Sequence, residues 1–443
     1  MKKNLIAVLL IVLGALLIWG TVDAEPTVVK ALIILWVAAV LWLSEAIHVT
    51  ATAMLVPVLA VGFQLMSVNE SLGNFAHPII YVFLGGYGLA AAMRAQQLDQ
   101  YIAHGILGFT QGYLHRAVIL LCLAASCLSM WISNMATAAL MLPLILGLVQ
   151  QKEALSSKTT MFCLLGIAYS ANIGGIATLV GSAPNGITAG ALNMSFIDWL
   201  QIGGLAYLIL WPIMMWILWR LLKPDFGRTQ VNLADFHFEW NRPRLLMVAI
   251  FLFTVVGWVF SKPLAAFFNV SGKFEALVAL ITLVLLMFSR VVSWKQVQTH
   301  TDWGVLLLFG GGLTLGAVLK TSGASVFLGT LLSQLVAEQS TLVILIVLVS
   351  FVVFLTELTS NTATTALLVP IFIALPSEFI SSQQAALAVG ITASCAFMLP
   401  VATPPNALVH GTGLIRSDTM IRVGLVLNIV SIVIISALLM IMY

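Results

Sequence analysis

A short polar motif occurs twice in this chain, about half the chain apart and inside long apolar tracts. The run from Ser133 to Pro143 and the run from Ser360 to Pro370 both begin with Ser-Asn and carry small polar residues at the same spacing. A repeat with a polar break in each half is typical of transporters that bind their substrate between the halves, near the bilayer midplane. The repeat therefore predicts the binding site of a membrane transporter.

Composition restricts the chain to the membrane. Of its 443 residues, 61% are hydrophobic and only 8% are charged, whereas a soluble domain has roughly 25% charged residues. The formal net charge is +3, and no run of Lys or Arg suggests a nucleic-acid partner. The four cysteines and seven histidines show no metal-ligand spacing, which argues against a metal enzyme. We expect an all-α polytopic protein in the lipid bilayer, with no catalytic residues.

The apolar stretches predict about eleven transmembrane helices plus two re-entrant hairpins, because several are shorter than the roughly 20 residues that a span needs. No convincing cleavage site follows the N-terminal stretch, so we expect an uncleaved first span with Lys2 and Lys3 in the cytoplasm. The polar stretch from Lys223 to Arg244 is predicted to be a cytoplasmic linker between the halves. The predicted parts are N-terminal scaffold helices in 1–75, a first-repeat transport part in 76–222, the linker in 223–243, a second scaffold part in 244–300 and a second-repeat transport part in 301–443.

Two further pairs of segments extend the repeat. Gly85-Gly86 in the first half matches Gly310-Gly311 in the second. Glycine pairs permit sharp turns, and their matching positions favour a re-entrant helix–turn–helix over ordinary close packing of helices. Farther along, the loop that ends in Pro184-Asn185 matches the loop that ends in Pro405-Asn406.

Each Ser-Asn break is expected to begin a helix, with Ser or Asn near the N-cap. The free N–H groups and the positive dipole end of such a helix suit a carboxylate. The preceding loop leaves carbonyl oxygens unpaired, and with the hydroxyls and the Asn amide oxygen these could bind a desolvated sodium ion. No Arg or Lys lies in either motif, which favours coupling of a dianion to cations. The alternative for each copy is a polar kink packed against its neighbours.

Several segments of the chain resemble those of one known protein family. The run from Ser394 to Val409, which contains Thr403-Pro404-Pro405-Asn406, resembles the signature of the divalent anion/sodium symporter family. Ser360-Asn361-Thr362 matches the Ser-Asn-Thr motif of that family, and Trp42 to Ile47 resembles its early Trp-x-x-Glu-Ala segment. The similarity covers about residue 36 to the C-terminus. It implies an inverted repeat, a homodimer, scaffold and transport domains, an elevator motion, sodium as the coupling ion, and a place in the inner (plasma) membrane.

The resemblance also implies which residues bind the ligands. No cofactor is implied besides the coupling ion. By matching positions, the carboxylates of a small dianion would be bound by Ser133, Asn134, Ser360, Asn361, Thr362 and Thr403. One sodium ion would be bound by Ser129, Ser133, Asn134 and Gly181, and a second by Thr356, Ser360, Asn361 and Ala402.

The chain departs from the family pattern at three places. Met135 stands where the first motif would have threonine, Ser182-Ala183 replaces the more usual Thr-Pro, and His48 replaces a proline. The first two changes bear on the substrate more than on the fold. The buried acids Glu45 and Glu357 are functional candidates by default. We favour a structural role for Glu45, whereas Glu357 either orients the second cation loop or is a structural acid bonded to the backbone.

The leading interpretation is a secondary active transporter that takes up C4-dicarboxylates, such as succinate, malate or fumarate, together with sodium. The alternative is a sodium-independent di- or tricarboxylate exchanger, or a sulfate carrier, on the same scaffold. An intramembrane enzyme would show paired acids or Ser with His at membrane depth, and a channel would show a filter motif. Neither pattern is evident in the sequence.

Overall fold

A computed structural model describes residues 2–108, 110, 113–150, 156–226, 238–336, 339–373 and 380–443. These residues form helices, turns and loops, and the prediction of an all-α polytopic membrane protein is confirmed. In chain order the helices are α1 (Lys2–Thr21), α2 (Pro26–Ser44), α3 (Val49–Gly62), α4 (Val68–Gly73), a 3-10 turn (Asn74–Ala76), α5 (Pro78–Ala95), α6 (Leu98–Gly108), α7 (Leu114–Ser129), α8 (Asn134–Gln150), α9 (Ser157–Gly174), α10 (Ala183–Ala191), α11 (Phe196–Leu222), α12 (Arg242–Val259), α13 (Ser261–Phe267), α14 (Phe274–Phe288), α15 (Trp294–His300), α16 (Trp303–Thr321), α17 (Ala324–Val336), α18 (Thr341–Thr356), α19 (Asn361–Phe372), α20 (Ser382–Thr392), α21 (Pro404–His410) and α22 (Ser417–Met442).

Seven helical segments of the described residues are long and apolar enough to cross a bilayer alone. Six further apolar helices of the described residues are shorter, and four of them flank the two Ser-Asn motifs. In the first half α7 and α8 form a hairpin, and in the second half α18 and α19 form another. Each hairpin turns at the predicted break, so that α8 begins at Asn134 and α19 begins at Asn361. The Ser-Asn motifs therefore occupy the tips of two re-entrant hairpins.

The prediction that the glycine pairs form the re-entrant turns is wrong. Gly85 and Gly86 lie inside the continuous helix α5, and Gly310 and Gly311 lie inside α16. A Cβ on Gly85 would come within 2.6 Å of the Ala279 Cβ on α14. A Cβ on Gly311 would lie 2.6 Å from the Cα, the Cβ and the backbone oxygen of the residue opposite it on α3. The glycines let neighbouring helices approach closely, which is the usual use of small residues in membranes.

The helices α5 and α16 run in opposite directions through the bundle. The Arg244 side chain at the start of α12 donates to the Gln96 carbonyl, just after α5 ends, at 3.2 Å. The end of α5 therefore shares one side of the bundle with the end of α11 and the start of α12, and we call this side the linker face. The end of α16 lies on the opposite face, where the Thr27 hydroxyl at the start of α2 is 3.5 Å from the Ser322 carbonyl. Residues 227–237 of the predicted linker lie outside the described residues.

Apolar side chains from all parts of the bundle form one continuous core. Within it, α5 packs most extensively against α14, and α16 packs most extensively against α3. Both partners belong to the predicted scaffold parts. The boundaries of the scaffold and transport parts stay a prediction.

Candidate functional site

The tips of the two hairpins face one cavity of about 650 Å³. Its walls combine residues from both repeats with residues from α2, α5 and α16. Seven of the residues that the sequence singled out as ligands or substrate contacts lie in this wall. They are Ser133, Asn134, Gly181, Ser360, Asn361, Thr362 and Ala402.

Several helices begin at this cavity. The Ser133 hydroxyl accepts a hydrogen bond from the Ala136 N–H, and the Ser360 hydroxyl accepts one from the Ala363 N–H, at 3.3 and 3.5 Å. These serines cap α8 and α19 as predicted, while the first N–H groups of both helices stay at the cavity edge. Helix α10 also starts there, at Ala183. Converging helix N-termini make the cavity favourable for anions without a basic residue in its wall.

Behind the first tip, oxygen atoms from the hairpin tip, the end of α9 and the loop after α9 come together. The Ser129 hydroxyl lies 2.7 Å from the Asn134 amide oxygen and 2.7 Å from the Ala171 carbonyl oxygen. A Cβ on Gly181 would lie 2.6 Å from the Gly175 carbonyl oxygen and 3.1 Å from the Ser129 carbonyl oxygen. A side chain at position 181 would therefore occupy the space among these oxygens. Neutral oxygen donors around a space of this kind fit a sodium ion, which prefers hard oxygen ligands.

The second tip repeats this arrangement. The Thr356 hydroxyl lies 2.5 Å from the Asn361 amide oxygen and 3.1 Å from the Ala393 carbonyl oxygen. Ser129 and Thr356 are both fully buried, so they lie behind the cavity wall rather than in it. The two hydroxyls thus orient the two asparagine amides in the same way, from the interior side.

The two Pro-Asn loops are held by their asparagines. The Asn185 amide nitrogen donates to the Gly175 and Thr178 carbonyls at 2.8 and 2.7 Å. In the second half, the Asn406 amide nitrogen donates to the Ala396 and Leu399 carbonyls at 3.0 and 3.2 Å. Because non-helical backbone at membrane depth needs partners inside the protein, these bonds stabilise the loops that border the oxygen clusters.

Direct side-chain bonds join the two repeats. The Asn172 amide nitrogen donates to the Thr403 hydroxyl at 3.0 Å. The repeat counterparts of these two residues are Ser394 and Ser182, whose hydroxyl oxygens lie 3.4 Å apart. Thr403 is buried and caps α21 by accepting from the Asn406 N–H. The cavity wall does not include Thr403, so its role as a substrate residue stays a prediction.

Glu357 has no acidic counterpart in the first repeat, where Met130 stands. Its carboxylate accepts from the Met398 and Leu399 N–H groups at 2.8 Å each and from the Asn428 amide at 2.7 Å. The side chain is buried. It therefore connects the second hairpin tip both to the loop that leads to Ala402 and to α22.

Met135 faces the cavity with 55% of its surface exposed.

The wall also contains residues that sequence reasoning did not select for the site. Tyr87 lies one residue beyond the first glycine pair, and Trp131 and Thr359 precede the two Ser-Asn breaks. Their positions next to the repeated motifs are the one sequence feature that could have identified them as site residues. Glu45 and Asp302 also line the cavity, and Asp302 accepts from the Val305 N–H as the cap of α16.

Comparison with known proteins identifies the family. The family model described as citrate transporter matches residues 39–388. The chain belongs to this family. It is 46% identical over 450 residues to an uncharacterized transporter of Haemophilus influenzae, covering 98% of this chain and 96% of the relative. It is 32% identical over 466 residues to the sodium-dependent dicarboxylate transporter SdcS of Staphylococcus saprophyticus, covering 96% of this chain and 88% of the relative. The relation to divalent anion/sodium symporters predicted from the motifs is confirmed.

A solved structure shares the fold. The YdaH transporter of Alcanivorax borkumensis aligns with a TM-score of 0.60 over 94% of this chain and 97% of that protein, at 16% sequence identity. The family and the relatives named above are transporters. The family member described here is accordingly a multi-pass membrane transporter and not an enzyme.

Proposed function

We propose that the transporter couples sodium influx to the uptake of a C4-dicarboxylate. One observation carries the proposal: two equivalent oxygen clusters adjoin two helix N-termini that face the same cavity. The amide oxygens of Asn134 and Asn361 point toward the clusters, so their NH2 groups are free to donate to a carboxylate. The relative SdcS, a sodium-dependent dicarboxylate transporter, supports this assignment.

The charge distribution supports an orientation in the membrane. Several basic residues lie at helix ends on the linker face, which is the pattern of a cytoplasmic side. The N-terminus belongs to the same face, because α1 runs antiparallel to α2 and the Trp36 indole of α2 donates to the Leu10 carbonyl of α1 at 3.0 Å. We therefore assign the linker face and the N-terminus to the cytoplasm of a plasma membrane. The basic residues are Arg94, Arg220, Lys223, Arg244, Arg290 and Lys295.

The two hairpins differ in their contact with α5 and α16, and this difference supports an elevator motion. On the opposite face, α19 lies directly against α16, where a Cβ on Gly312 would be 3.3 Å from the Ala366 Cβ. The equivalent first-repeat residue, Ala139 on α8, is exposed, and a second cavity separates α8 from α5. The site is thus closed on one face and open toward the linker face. We propose that α5 and α16, which the sequence analysis assigned to the transport parts, stay instead with a dimeric scaffold while the hairpins move.

Uptake of labelled succinate into liposomes containing the purified protein tests the proposal. With sodium outside and potassium inside, we expect concentrative uptake that collapses when sodium is equal on both sides. Uptake that does not depend on sodium but requires unlabelled dicarboxylate inside the liposomes would identify an exchanger. Uptake of labelled sulfate in preference to succinate would identify a sulfate carrier. Either result would contradict the proposal.

A further inference from the structure

A second cavity of about 280 Å³ adjoins the main cavity on the linker side. Tyr87, Ala90, Ser133 and Asp302 line both spaces, so the two are continuous. We call this space the vestibule. Its remaining wall residues are Arg94, Ile132, Ala136, Thr299, His300 and Thr301.

Arg94 is the basic residue of the vestibule wall, and its side chain is exposed. It takes part in neither of the two ion pairs formed by the described residues, which are Lys262 with Asp198 and Arg416 with Asp418. His300 lies in the same wall and donates through Nδ1 to the Gln296 carbonyl at 2.8 Å, so that Nε2 of the neutral ring is an acceptor.

Asp302 is the carboxylate in the same wall, and it is already engaged. Its Oδ1 accepts the Val305 N–H at 3.1 Å, at the positive N-terminal end of α16. Asp99 interacts electrostatically with the Arg94 guanidinium, but among the described residues no carboxylate forms an ion pair with it. An arginine in a partly enclosed, wet cleft attracts carboxylates and can bind them through two parallel hydrogen bonds.

We propose that the vestibule is a second anion site, in which Arg94 binds a dicarboxylate as it moves between the main cavity and the linker face. The proposal rests on the proposed function. The main cavity attracts carboxylates through helix ends and bound cations, so an anion released from it loses that stabilisation at once. A guanidinium beside Ser133 provides the next favourable position along the path.

The repeat supplies a counterpart on the other face. Helix α16 is the equivalent of α5, and each helix has one basic residue in its last turn, Arg94 in α5 and Lys320 in α16. The space equivalent to the vestibule is filled in this structure, because α19 lies directly against α16, where a Cβ on Gly312, the equivalent of Tyr87, would be 3.3 Å from the Ala366 Cβ. Lys320 would thus serve the same purpose when the site opens to the opposite face.

Flux measurements from each side test the site. In oriented proteoliposomes, Arg94→Gln should raise the KM for succinate applied at the linker face about tenfold, the effect of losing one charge-assisted hydrogen bond. The KM at the opposite face should stay unchanged. Arg94→Lys keeps the positive charge, so its linker-face KM should rise less than that of Arg94→Gln. Lys295→Gln, on the same face but outside the vestibule, is the control and should alter neither KM. Lys320→Gln should raise the KM only at the opposite face.

A labelling experiment tests the vestibule independently of transport. Thr299→Cys places a thiol in the vestibule wall, in a Cys127→Ser background that removes the exposed native cysteine. Each labelling rate is divided by the rate of the same reagent with free cysteine. After this normalisation, a sulfonate-bearing methanethiosulfonate should label the thiol about tenfold faster than a trimethylammonium-bearing one, because a nearby cation concentrates anions. Arg94→Gln should remove this preference. Arg220→Gln, on the same face but outside the vestibule wall, should retain it.

The two experiments separate the two proposals. If the wild type carries no succinate but labelling shows the Arg94-dependent preference, the proposed function fails and the anion site stands. If succinate is carried while Arg94→Gln changes neither the linker-face KM nor the labelling preference, the vestibule proposal is overturned and the transport function stands.

Discussion

The Ser129 hydroxyl lies 2.7 Å from the amide oxygen of Asn134, five residues farther along the chain and across the tip of the first hairpin. The same relation recurs between Thr356 and Asn361 at the second tip. In each pair the hydroxyl is buried and the asparagine reaches the cavity. Each asparagine therefore has its oxygen on the proposed cation side and its NH2 group available to the substrate.

The asparagines should be indispensable for coupling. We expect Asn134→Ala and Asn361→Ala each to reduce sodium-driven succinate uptake at least about tenfold, because a charge-assisted hydrogen bond contributes about 1.5–3 kcal/mol. Asn74→Ala, at a position outside the cavity, is the matched control. Both site variants should elute from size exclusion like the wild type. Near-normal uptake by either one would contradict the dual role.

Met135 should weaken one end of the substrate site. Its thioether faces the cavity and cannot donate a hydrogen bond, whereas Thr362 in the second motif can. We expect Met135→Thr to tighten succinate binding by about 0.5–1.5 kcal/mol, the net contribution of one hydrogen bond. Calorimetry in detergent with sodium measures this. Met135→Leu should bind succinate like the wild type, and a wild type that prefers sulfate would contradict the asymmetric site.

Glu357 should stabilise the second cation loop. Glu357→Gln exchanges one acceptor oxygen for a donor that faces an N–H or NH2 group. We expect a loss of about 1.5–3 kcal/mol in stability, since a buried group is left without its partner. A lower Tm and a higher sodium concentration for half-maximal uptake would be measured together. A lower Tm with unchanged sodium dependence would limit Glu357 to a structural role.

A disulfide across the closed contact should stop the cycle. A Cβ on Gly316 would lie 3.7 Å from the Pro370 Cβ, which is suitable for a disulfide between α16 and α19. We expect oxidised Gly316→Cys/Pro370→Cys protein to lose transport and to regain it with a reductant. Each single cysteine variant should be insensitive to oxidant. Full transport by the cross-linked protein would show that this contact does not open during the cycle.

The hairpins and their tips could be predicted from the sequence because the signal is local. A Ser-Asn pair inside an apolar run interrupts a helix and caps the next one wherever it occurs, and α8 and α19 begin at those positions. The prediction for the glycine pairs failed for the opposite reason. A glycine marks a turn or a close contact equally well, and only the position of α14 beside Gly85 decides between them.

The sequence by itself determined the membrane setting, the repeat, the two breaks and the family, because hydropathy, capping and motif spacing are properties of neighbouring residues. Only the tertiary structure decided which distant residues, such as Tyr87 and Asp302, share the cavity. It also decided that Thr403 accepts a hydrogen bond from Asn172 and does not line the cavity. Finally, it placed Arg94 in the wall of the vestibule that Ser133 lines. The physical reason is that helix packing, and not chain order, brings side chains from different helices to one space.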